Sequence, residues 1–328
     1  MDRISRFWPR FGSRALAATL LAYLAASPGS EAAEIPAHVV LGTATPGGGF
    51  PAYGAAIVEA MREVDPSLTI EARNTKGSTE NLPLLEDGKL DIALVTGEAA
   101  YEAFAGIGRP PAKLKVLAAM YSSPGMFVVR ADSPYRTIQD LRGKPVAFGA
   151  KGSGLVILAR YVLDGIGLDQ NKDFEPVYLD RAGDGPAMVL DGRVAALWGA
   201  GSGWPGFTKM AAAPEGARFI APAEEDVRRI VAKHPFLKPQ TIPARSYPGQ
   251  DQPVQSVGSW SLILARPTLD DDVAYRLARA LHRGEKRVGE LLPQAAETTA
   301  ANTVAAVPNR DMLHPGVARY LHEIGLLR

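Results

Sequence analysis

Short β-rich runs alternate with helical stretches over most of this chain, from His38 to Ala232. Alternation of this kind is typical of parallel sheets that carry helices on both faces. The chain has 328 residues, of which 46% are apolar, and this is enough to build two domains with ample hydrophobic cores. The sequence therefore predicts an α/β fold.

The first 33 residues have the pattern of a secretory signal peptide. Four arginines precede a 12-residue apolar run, Ala15–Ala26, and small residues follow it up to Ala33. The run is shorter than the roughly 20 apolar residues that span a bilayer, and an uncleaved N-terminal anchor is the alternative. No cysteine follows the run to carry a lipid. We therefore expect an exported, unlipidated protein in a Gram-negative periplasm.

The composition excludes several classes of function. Without residues 1–33 the chain carries 32 basic and 33 acidic side chains, so it lacks the positive charge that a nucleic-acid binder needs. The absence of cysteine excludes disulfides, thiolate nucleophiles and cysteine-ligated zinc. The five histidines are scattered and no pair of carboxylates stands out as an acid–base couple. The sequence thus indicates neither a metal site nor an enzyme.

The character of the chain changes after Lys238. Residues 239–255 are rich in Pro, Gly and Gln, so we expect them to connect elements rather than to form one. One strand-like run follows and then only helices, which suggests that the chain returns to the part where it began. This pattern predicts a first lobe of residues 34–127 plus 247–328, a second lobe of residues 128–246, and a hinge between them.

Three glycine-rich turns each lie between a predicted strand and a predicted helix. Such a turn exposes the first backbone N–H groups of the following helix, which bind carboxylate or phosphate groups. Open α/β sheets bind ligands at this edge. Two turns fall in the first predicted lobe and one in the second, so they could face each other across a cleft. The turns are Thr45-Pro-Gly-Gly-Gly-Phe50, Thr75-Lys-Gly-Ser-Thr79 and Gly149-Ala-Lys-Gly-Ser-Gly154.

The first turn also loosely fits a dinucleotide-binding fingerprint. Gly47, Gly49 and Ala52 have its spacing, and Glu71 lies on the next predicted strand. The acidic residue of that motif, however, is the last residue of its strand, whereas Glu71 lies in the middle of one. An exported protein would also meet little NAD. We therefore favour an anion site and expect no cofactor.

Further short motifs run through the chain in a fixed order. The more specific ones are Tyr247-Pro-Gly-Gln-Asp251 and Leu313-His-Pro-Gly-Val-Ala-Arg-Tyr320. Others are Gly77-Ser-Thr-Glu-Asn-Leu82, Asp91-Ile-Ala-Leu94, Ala100-Tyr-Glu-Ala103 and Asp140-Leu-Arg-Gly-Lys144. In these motifs, in their order and in the glycine-rich turns, the sequence resembles the TAXI family. Members of that family are the solute receptors of tripartite ATP-independent periplasmic (TRAP) transporters.

The resemblance implies a two-lobed periplasmic binding protein of a type II-like fold, in which two mixed sheets flanked by helices form a hinged cleft. Such a protein closes on a small organic anion, here a dicarboxylate or a glutamate-like ligand. It would then deliver the ligand, as a monomer, to a TRAP permease driven by an ion gradient. A receptor for a sensor kinase or an ABC permease is an alternative, and an enzyme on the same fold is a weaker one.

The resemblance also implies which residues form the ligand site. The glycines would donate backbone N–H groups and the serines their hydroxyl groups, while the two aromatic rings would form apolar walls. Packing between the lobes is the alternative for the rings, and helix capping is the alternative for the asparagine. The residues are Gly49, Phe50, Gly77, Ser78 and Asn81 from the first lobe and Gly152, Ser153, Trp198 and the turn 199–203 from the second.

Two lysines depart from the family pattern. Lys76 stands where a glycine is usual and Lys151 where a proline is usual, while Leu155 replaces a frequent threonine. Two added cations and one lost hydroxyl favour a dicarboxylate or another anion without an ammonium group. Alternatively, both lysines lie in solvent on the rim of the cleft.

Overall fold

The structure, a computed structural model, describes residues 35–307 and 309–328. The predicted signal peptide, residues 1–33, lies outside this part of the chain. Within it, no helix combines the length and the apolar character needed to cross a membrane.

Strands and helices alternate as predicted over most of the described chain. The strands are β1 (Ala37–Gly42), β2 (Leu68–Arg73), β3 (Ile92–Val95), β4 (Lys115–Ser122), β5 (Gly125–Arg130), β6 (Pro145–Ala150), β7 (Glu175–Leu179), β8 (Ala196–Ala200), β9 (Ala217–Ile220), β10 (Lys238–Ile242), β11 (Val254–Gly258) and β12 (Trp260–Ala265). The helices are α1 (Gly49–Val64), α2 (Ser78–Glu86), α3 (Gly97–Ala105), α4 (Gly154–Gly165), α5 (Gly185–Leu190), α6 (Pro205–Ala211), α7 (Glu224–Lys233), α8 (Asp271–Arg283), α9 (Glu285–Leu291), α10 (Ala300–Ala306) and α11 (Pro315–Glu323).

Two five-stranded mixed sheets organise the described residues. The first has the order β2-β1-β3-β12-β4 and the second the order β7-β6-β8-β5-β9. In each sheet three neighbouring strands are parallel, and the strand beside them is antiparallel to both of its partners. Helices α1–α3 and α8–α11 pack with the first sheet and α4–α7 with the second. We call these two assemblies the first lobe and the second lobe.

The antiparallel strand of each sheet is the one that arrives from the other lobe. The chain leaves β4 through Ser123 and Pro124 to enter β5, and it leaves β11 through Ser259 to enter β12. The two crossings run side by side, because the Ser123 N–H donates to the Ser259 carbonyl at 3.0 Å. The hydroxyl groups of Ser123 and Ser261 lie 3.1 Å apart.

The prediction that residues 239–255 only connect other elements is wrong. β10 and β11 form an antiparallel ribbon, in register from Lys238 opposite Gly258 to Ile242 opposite Val254. The ribbon packs on α7 and buries Ile242 and Val257. Most of its other side chains are polar or Pro, so the apolar alternation that signals a strand is weak. The predicted lobe boundary at residues 246 and 247 falls in the loop of this ribbon.

Each lobe has its own apolar core. One continuous cluster fills the first lobe, and it includes Leu41, Tyr53, Leu94 and Leu277. In the second lobe two clusters form, one around Phe127, Phe148 and Trp198 and the other around Trp204 and Phe207. The contribution of Leu277 from α8 shows how the last helices complete the lobe in which the chain begins.

A buried ion pair ties α8 to the end of α1. Arg276 donates from Nε to Asp65 Oδ2 and from Nη2 to Asp65 Oδ1, both at 3.0 Å. The side chains are only 11% and 5% exposed. A second guanidinium, that of Arg279, lies 3.7 Å from the same carboxylate.

We expect Arg276→Met to lower the free energy of unfolding by about 3 kcal/mol, because it leaves a buried carboxylate short of its main partner. Urea denaturation of residues 34–328 measures this loss. The control is Arg228→Met, which removes an exposed pair with Glu224 on α7 and should cost about 0.5 kcal/mol or less. Equal losses in the two variants would contradict this role for Arg276.

Candidate functional site

The carboxyl ends of the parallel strands of both sheets face one cavity between the lobes. Its volume is about 60 Å³. A single water molecule needs roughly 10–15 Å³ on this scale, so the cavity has room for several waters or a small organic molecule. Its wall consists of Ala44, Thr45, Gly48, Gly49, Phe50, Lys76, Gly77, Ser78, Thr96, Glu98, Tyr121, Ser123 and Ser261 from the first lobe and its crossings, and Ala150, Ser153, Gly154, Leu155, Leu158, Ala182, Ala200 and Trp204 from the second lobe.

Backbone hydrogen bonds close the two lobes over this cavity. The Thr79 N–H of the first lobe donates to the Gly152 carbonyl of the second at 3.1 Å. On the other side of the cavity, the Gly183 N–H donates to the Pro46 carbonyl at 3.3 Å. The Ala182 N–H donates to the Thr45 hydroxyl at 3.1 Å. The turns from the two sheets are therefore in direct contact, and the conformation is a closed one.

Glycine makes this close approach possible. Gly47 has a φ of +81°, and a Cβ atom on it would lie 2.5 Å from the Gly183 Cα. Gly77, with a φ of +115°, makes a less severe approach, since a Cβ on it would lie 3.3 Å from the Ser153 Cα. A side chain at either position would strain the backbone, and one at Gly47 would also hold the lobes apart.

Side chains add a second set of contacts at the outer edge of the cleft. Glu102 on α3 accepts hydrogen bonds from Tyr161 at 2.8 Å and from Arg160, both on α4. Tyr101 stacks on Phe236 with ring centroids 4.0 Å apart. These contacts lie away from the cavity and help to hold the closed arrangement.

Hydrogen-bond donors converge on the cavity from both lobes. The backbone amides of Gly49, Phe50, Ser78 and Gly154 lie in the first turns of helices, where N–H groups have no partner within the helix. The Ser78 hydroxyl accepts from the Thr96 N–H at 3.0 Å. The Ser153 hydroxyl accepts from the Leu155 N–H at 3.1 Å and so caps α4. Each hydroxyl keeps its own hydrogen to donate, and this donor set suits an anionic group.

One acidic side chain also lies in the cavity wall. Glu98, in the first turn of α3, is completely buried. Its Oε1 accepts a hydrogen bond from the Ser259 hydroxyl at 2.6 Å, while its Oε2 has no hydrogen-bond partner. Burial raises the pKa of this carboxyl group above its ordinary value of 4.5. The hydroxyl groups of Ser259 and Thr96 and the backbone N–H groups of Glu98 and Ser259 oppose that rise only in part.

Aromatic rings give the cavity its apolar surface. Phe50 is the second residue of α1, Tyr121 is the last but one of β4, and Trp204 immediately precedes α6. The Trp204 ring reaches across the cleft to α1, since a Cβ on Gly49 would lie 3.3 Å from its Cδ1. Tyr247 fixes the turn before Trp204, because its hydroxyl accepts from the Gly203 N–H at 2.7 Å and donates to the Gly201 carbonyl at 3.1 Å.

The residues assigned to the site from the sequence fall into two groups. Those that line the cavity are Gly49, Phe50, Lys76, Gly77, Ser78 and Ser153. Those that lie outside its lining are Asn81, Lys151, Gly152 and Trp198.

The residues outside the lining have structural surroundings. Asn81 donates to the carbonyls of Thr43 and Leu94 at 2.9 and 2.8 Å, and so joins the ends of β1 and β3. Trp198 is fully buried in the second lobe, where its Nε1 donates to the Leu155 carbonyl at 3.0 Å. Lys151 is exposed, and Gly152 offers its carbonyl to the other lobe.

Sequence reasoning missed several wall residues, above all Glu98, Tyr121 and Trp204. Thr96 alone connects β3 to Gly97, the first residue of α3, at the same sheet edge as the three glycine-rich turns. A search for every strand-to-helix turn, rather than for runs of glycine, would have found this one and the adjacent Glu98. Tyr121 and Trp204 have no comparable local signal.

Among the described residues no group of three or more His, Asp and Glu side chains could hold a metal ion.

Comparison with known proteins supports the fold. The sequence matches the NMT1-like family over residues 41–325. The structure is similar to that of the alkanesulfonate-binding protein SsuA from Xanthomonas axonopodis pv. citri bound to MOPS, with a TM-score of 0.51, 20% identity and coverage of 88% of this chain and 85% of that one. It is also similar to a periplasmic transporter, with a TM-score of 0.52, 15% identity and coverage of 79% and 87%.

A third similar structure is that of an ancestral arginine-binding protein bound to arginine, with a TM-score of 0.50, 14% identity and coverage of 80% and 99%. All three are named as binding or transport proteins rather than enzymes. At these identities the similarity shows the fold alone. The predicted periplasmic binding protein fold, with two mixed sheets flanked by helices, is therefore confirmed.

We expect Gly47→Ala to shift the protein toward an open conformation, because its Cβ would collide with the Gly183 backbone. The matched control is Gly192→Ala, since Gly192 has a similar φ of +80° but no atom within 4 Å of its Cβ position. The chain has no native cysteine, so labels at Lys113→Cys and Lys172→Cys can report the distance between the lobes. Only Gly47→Ala should populate longer distances, and an unchanged distribution would contradict the closure contact.

Glu98 should make the stability of the protein depend on pH. Because the folded protein holds this proton to a higher pH than the unfolded chain, the wild type should lose stability relative to Glu98→Gln as the pH rises above 4.5. The slope is at most about 1.4 kcal/mol per pH unit, up to the pKa of the folded state. Urea denaturation from pH 5 to pH 8 measures the difference.

The control for this experiment is Glu225→Gln, which changes an exposed carboxylate on α7. This variant should follow the wild type over the whole pH range. A constant difference between the wild type and Glu98→Gln would show that the pKa of Glu98 is the same in the folded and unfolded states.

Proposed function

We propose that this chain, which belongs to the NMT1-like family, is a solute receptor that closes its two lobes around a small ligand and presents it to a membrane transporter. The cavity between the lobes carries this proposal, since its wall combines strand-end turns from both sheets. A ligand that bridges both sets of turns stabilises the closed state through the contacts it makes only there. The fold shared with binding proteins of known structure supports the same function.

The ligand that we propose is a small organic anion, a dicarboxylate or a glutamate-like acid. Helix first turns and the hydroxyl groups of Ser78 and Ser153 supply donors for an acid group from both lobes. Lys76 adds a positive charge at the cavity, although its side chain is largely exposed. Phe50, Tyr121 and Trp204 would enclose the carbon skeleton.

We further propose that the receptor works as a monomer in a Gram-negative periplasm and delivers its ligand to a TRAP permease. Three observations on the sequence support this assignment: the signal-peptide pattern of residues 1–33, the lack of a cysteine for lipidation, and the ordered motifs shared with the TAXI family. Tyr247 belongs to one of these motifs, and in the structure it fixes the turn that positions Trp204.

A thermal-shift screen of residues 34–328, refolded after removal of bound ligand, tests the proposal. The panel consists of succinate, glutarate, 2-oxoglutarate, L-glutamate and L-glutamine. A ligand at about 1,000 times its Kd adds about 4 kcal/mol of stability, which is readily seen as a rise in Tm. We expect at least one of the acids to stabilise the protein. No shift with any of them would contradict an organic-anion receptor of this class.

The same screen should show that the double variant Ser78→Ala, Ser153→Ala loses most of the stabilisation given by the acid. Two hydrogen bonds to a charged group are worth about 3 kcal/mol or more together, so we expect a loss of affinity of about 100-fold. Since Ser153 also caps a helix, the control is Thr299→Ala, which removes the hydroxyl cap of α10 outside the cavity. Unchanged affinity in the double variant would refute the pocket assignment.

A further inference from the structure

The carboxyl group of Glu98 is the one acidic group in the described cavity wall, and no described cation pairs with it. Gly97 allows the chain crossing to pack directly on the start of α3, because a Cβ there would lie 2.2 Å from the Ser259 Oγ. This packing buries Glu98 completely and places the Ser259 hydroxyl against its Oε1. Its Oε2 is buried and has no hydrogen-bond partner.

We propose that Glu98 binds the ligand as a neutral carboxylic acid, with its Oε2–H donating a hydrogen bond to an acid group of the ligand. This inference rests on the proposed function and deepens it, since it makes Glu98 a specificity-determining residue of the same cavity. The preferred ligand is then an organic acid without an ammonium group near this position.

The hydrogen bonds of the two carboxyl oxygens support the neutral form. A protonated carboxyl has one oxygen that only accepts and one that carries a hydrogen to donate. Oε1 already accepts from Ser259, so Oε2 is left as the donor in need of an acceptor. An unpaired buried carboxylate ion would cost far more free energy than the neutral acid.

The surrounding charges also favour the neutral form. Lys76, in the turn before α2, and Tyr121, on β4, line the same cavity, but neither forms a hydrogen bond or ion pair with Glu98. The other groups that act on the carboxyl group are uncharged: the hydroxyl and backbone N–H of Ser259, and the hydroxyl of Thr96, which is itself buried without a hydrogen-bond partner. The remaining titratable groups on the adjoining elements bind elsewhere: Glu80 to the Lys76 N–H, and Glu102 to Arg160 and Tyr161.

Binding in this form is linked to a proton. At a pH above the pKa of Glu98 only a fraction of the protein is competent to bind, and the apparent Kd rises in inverse proportion to that fraction. The affinity for an acid should then fall by up to tenfold per pH unit. An ammonium group beside Glu98 would have the opposite effect, because it would bind the ionised carboxylate and tighten as the pH rises.

Isothermal titration calorimetry with glutarate and L-glutamate tests the proposal. The two probes share a skeleton and differ by one ammonium group, and each is titrated at pH 6, 7 and 8. We expect the wild type to bind glutarate more tightly than L-glutamate, with an affinity that falls as the pH rises. Glu98→Gln keeps a hydrogen-bond donor at this position, so it should bind glutarate within about threefold of the wild type at pH 6. It should also lose the pH dependence, whereas Glu225→Gln should keep it.

Each of the other outcomes would overturn either the role of Glu98 or the proposed ligand. Tighter binding of L-glutamate, with affinity that rises with pH and disappears in Glu98→Gln, would show that Glu98 binds an ammonium group as a carboxylate. Binding of glutarate that weakens equally with rising pH in the wild type and in Glu98→Gln would overturn the role of Glu98 but leave the receptor function standing. Failure of the wild type to bind either acid would overturn this inference, whereas the proposed ligand class fails only if no acid of the thermal-shift panel stabilises the protein.

Discussion

The two chain crossings, at residues 123–124 and at Ser259, are the constraint on which the rest of the structure depends. Because β5 and β12 each enter a sheet from the opposite lobe, each runs antiparallel to its neighbours, and both sheets have an equivalent strand order. The parallel strands of both sheets then direct their carboxyl ends toward the same cleft. The hydrogen bond between Ser123 and Ser259 holds the two crossings together, so the two crossings form a single hinge between the lobes.

The crossing at Ser259 also sets the surroundings of Glu98 in the cavity wall. Ser259 is the residue that leads into β12, and it is also the hydrogen-bond donor to the buried Glu98. The carboxyl group therefore contacts the hinge on one side and the cavity on the other. A proposed ligand that engages Glu98 would bind at the point where the lobes are joined, while the glycine turns around Gly47 and Gly77 contact the opposite lobe.

Local sequence signals predicted much of the fold and part of the site. Strands and helices alternate as the β-rich runs and helical stretches of the sequence predict, and the glycine-rich turns do lie at strand ends beside the cavity. The positions of Trp198 and Trp204 are not predicted by such local signals. Both residues lie near the end of β8, yet Trp198 is buried within the second lobe whereas Trp204 reaches the cavity. The turn that precedes Trp204 is held by the Tyr247 hydroxyl, which comes from a distant part of the chain.

The sequence by itself determined the alternation of strands and helices, the positions of the turns and the exclusion of cysteine chemistry, since each of these depends on residue types close together in the chain. The tertiary structure alone decided which of these residues meet. In the sequence, Glu98 is an ordinary acidic residue in the first turn of a predicted helix. In the structure it is buried, because Ser259, 161 residues later, packs against it. Desolvation depends on neighbours in space, and those neighbours are set by the return of the chain across the hinge.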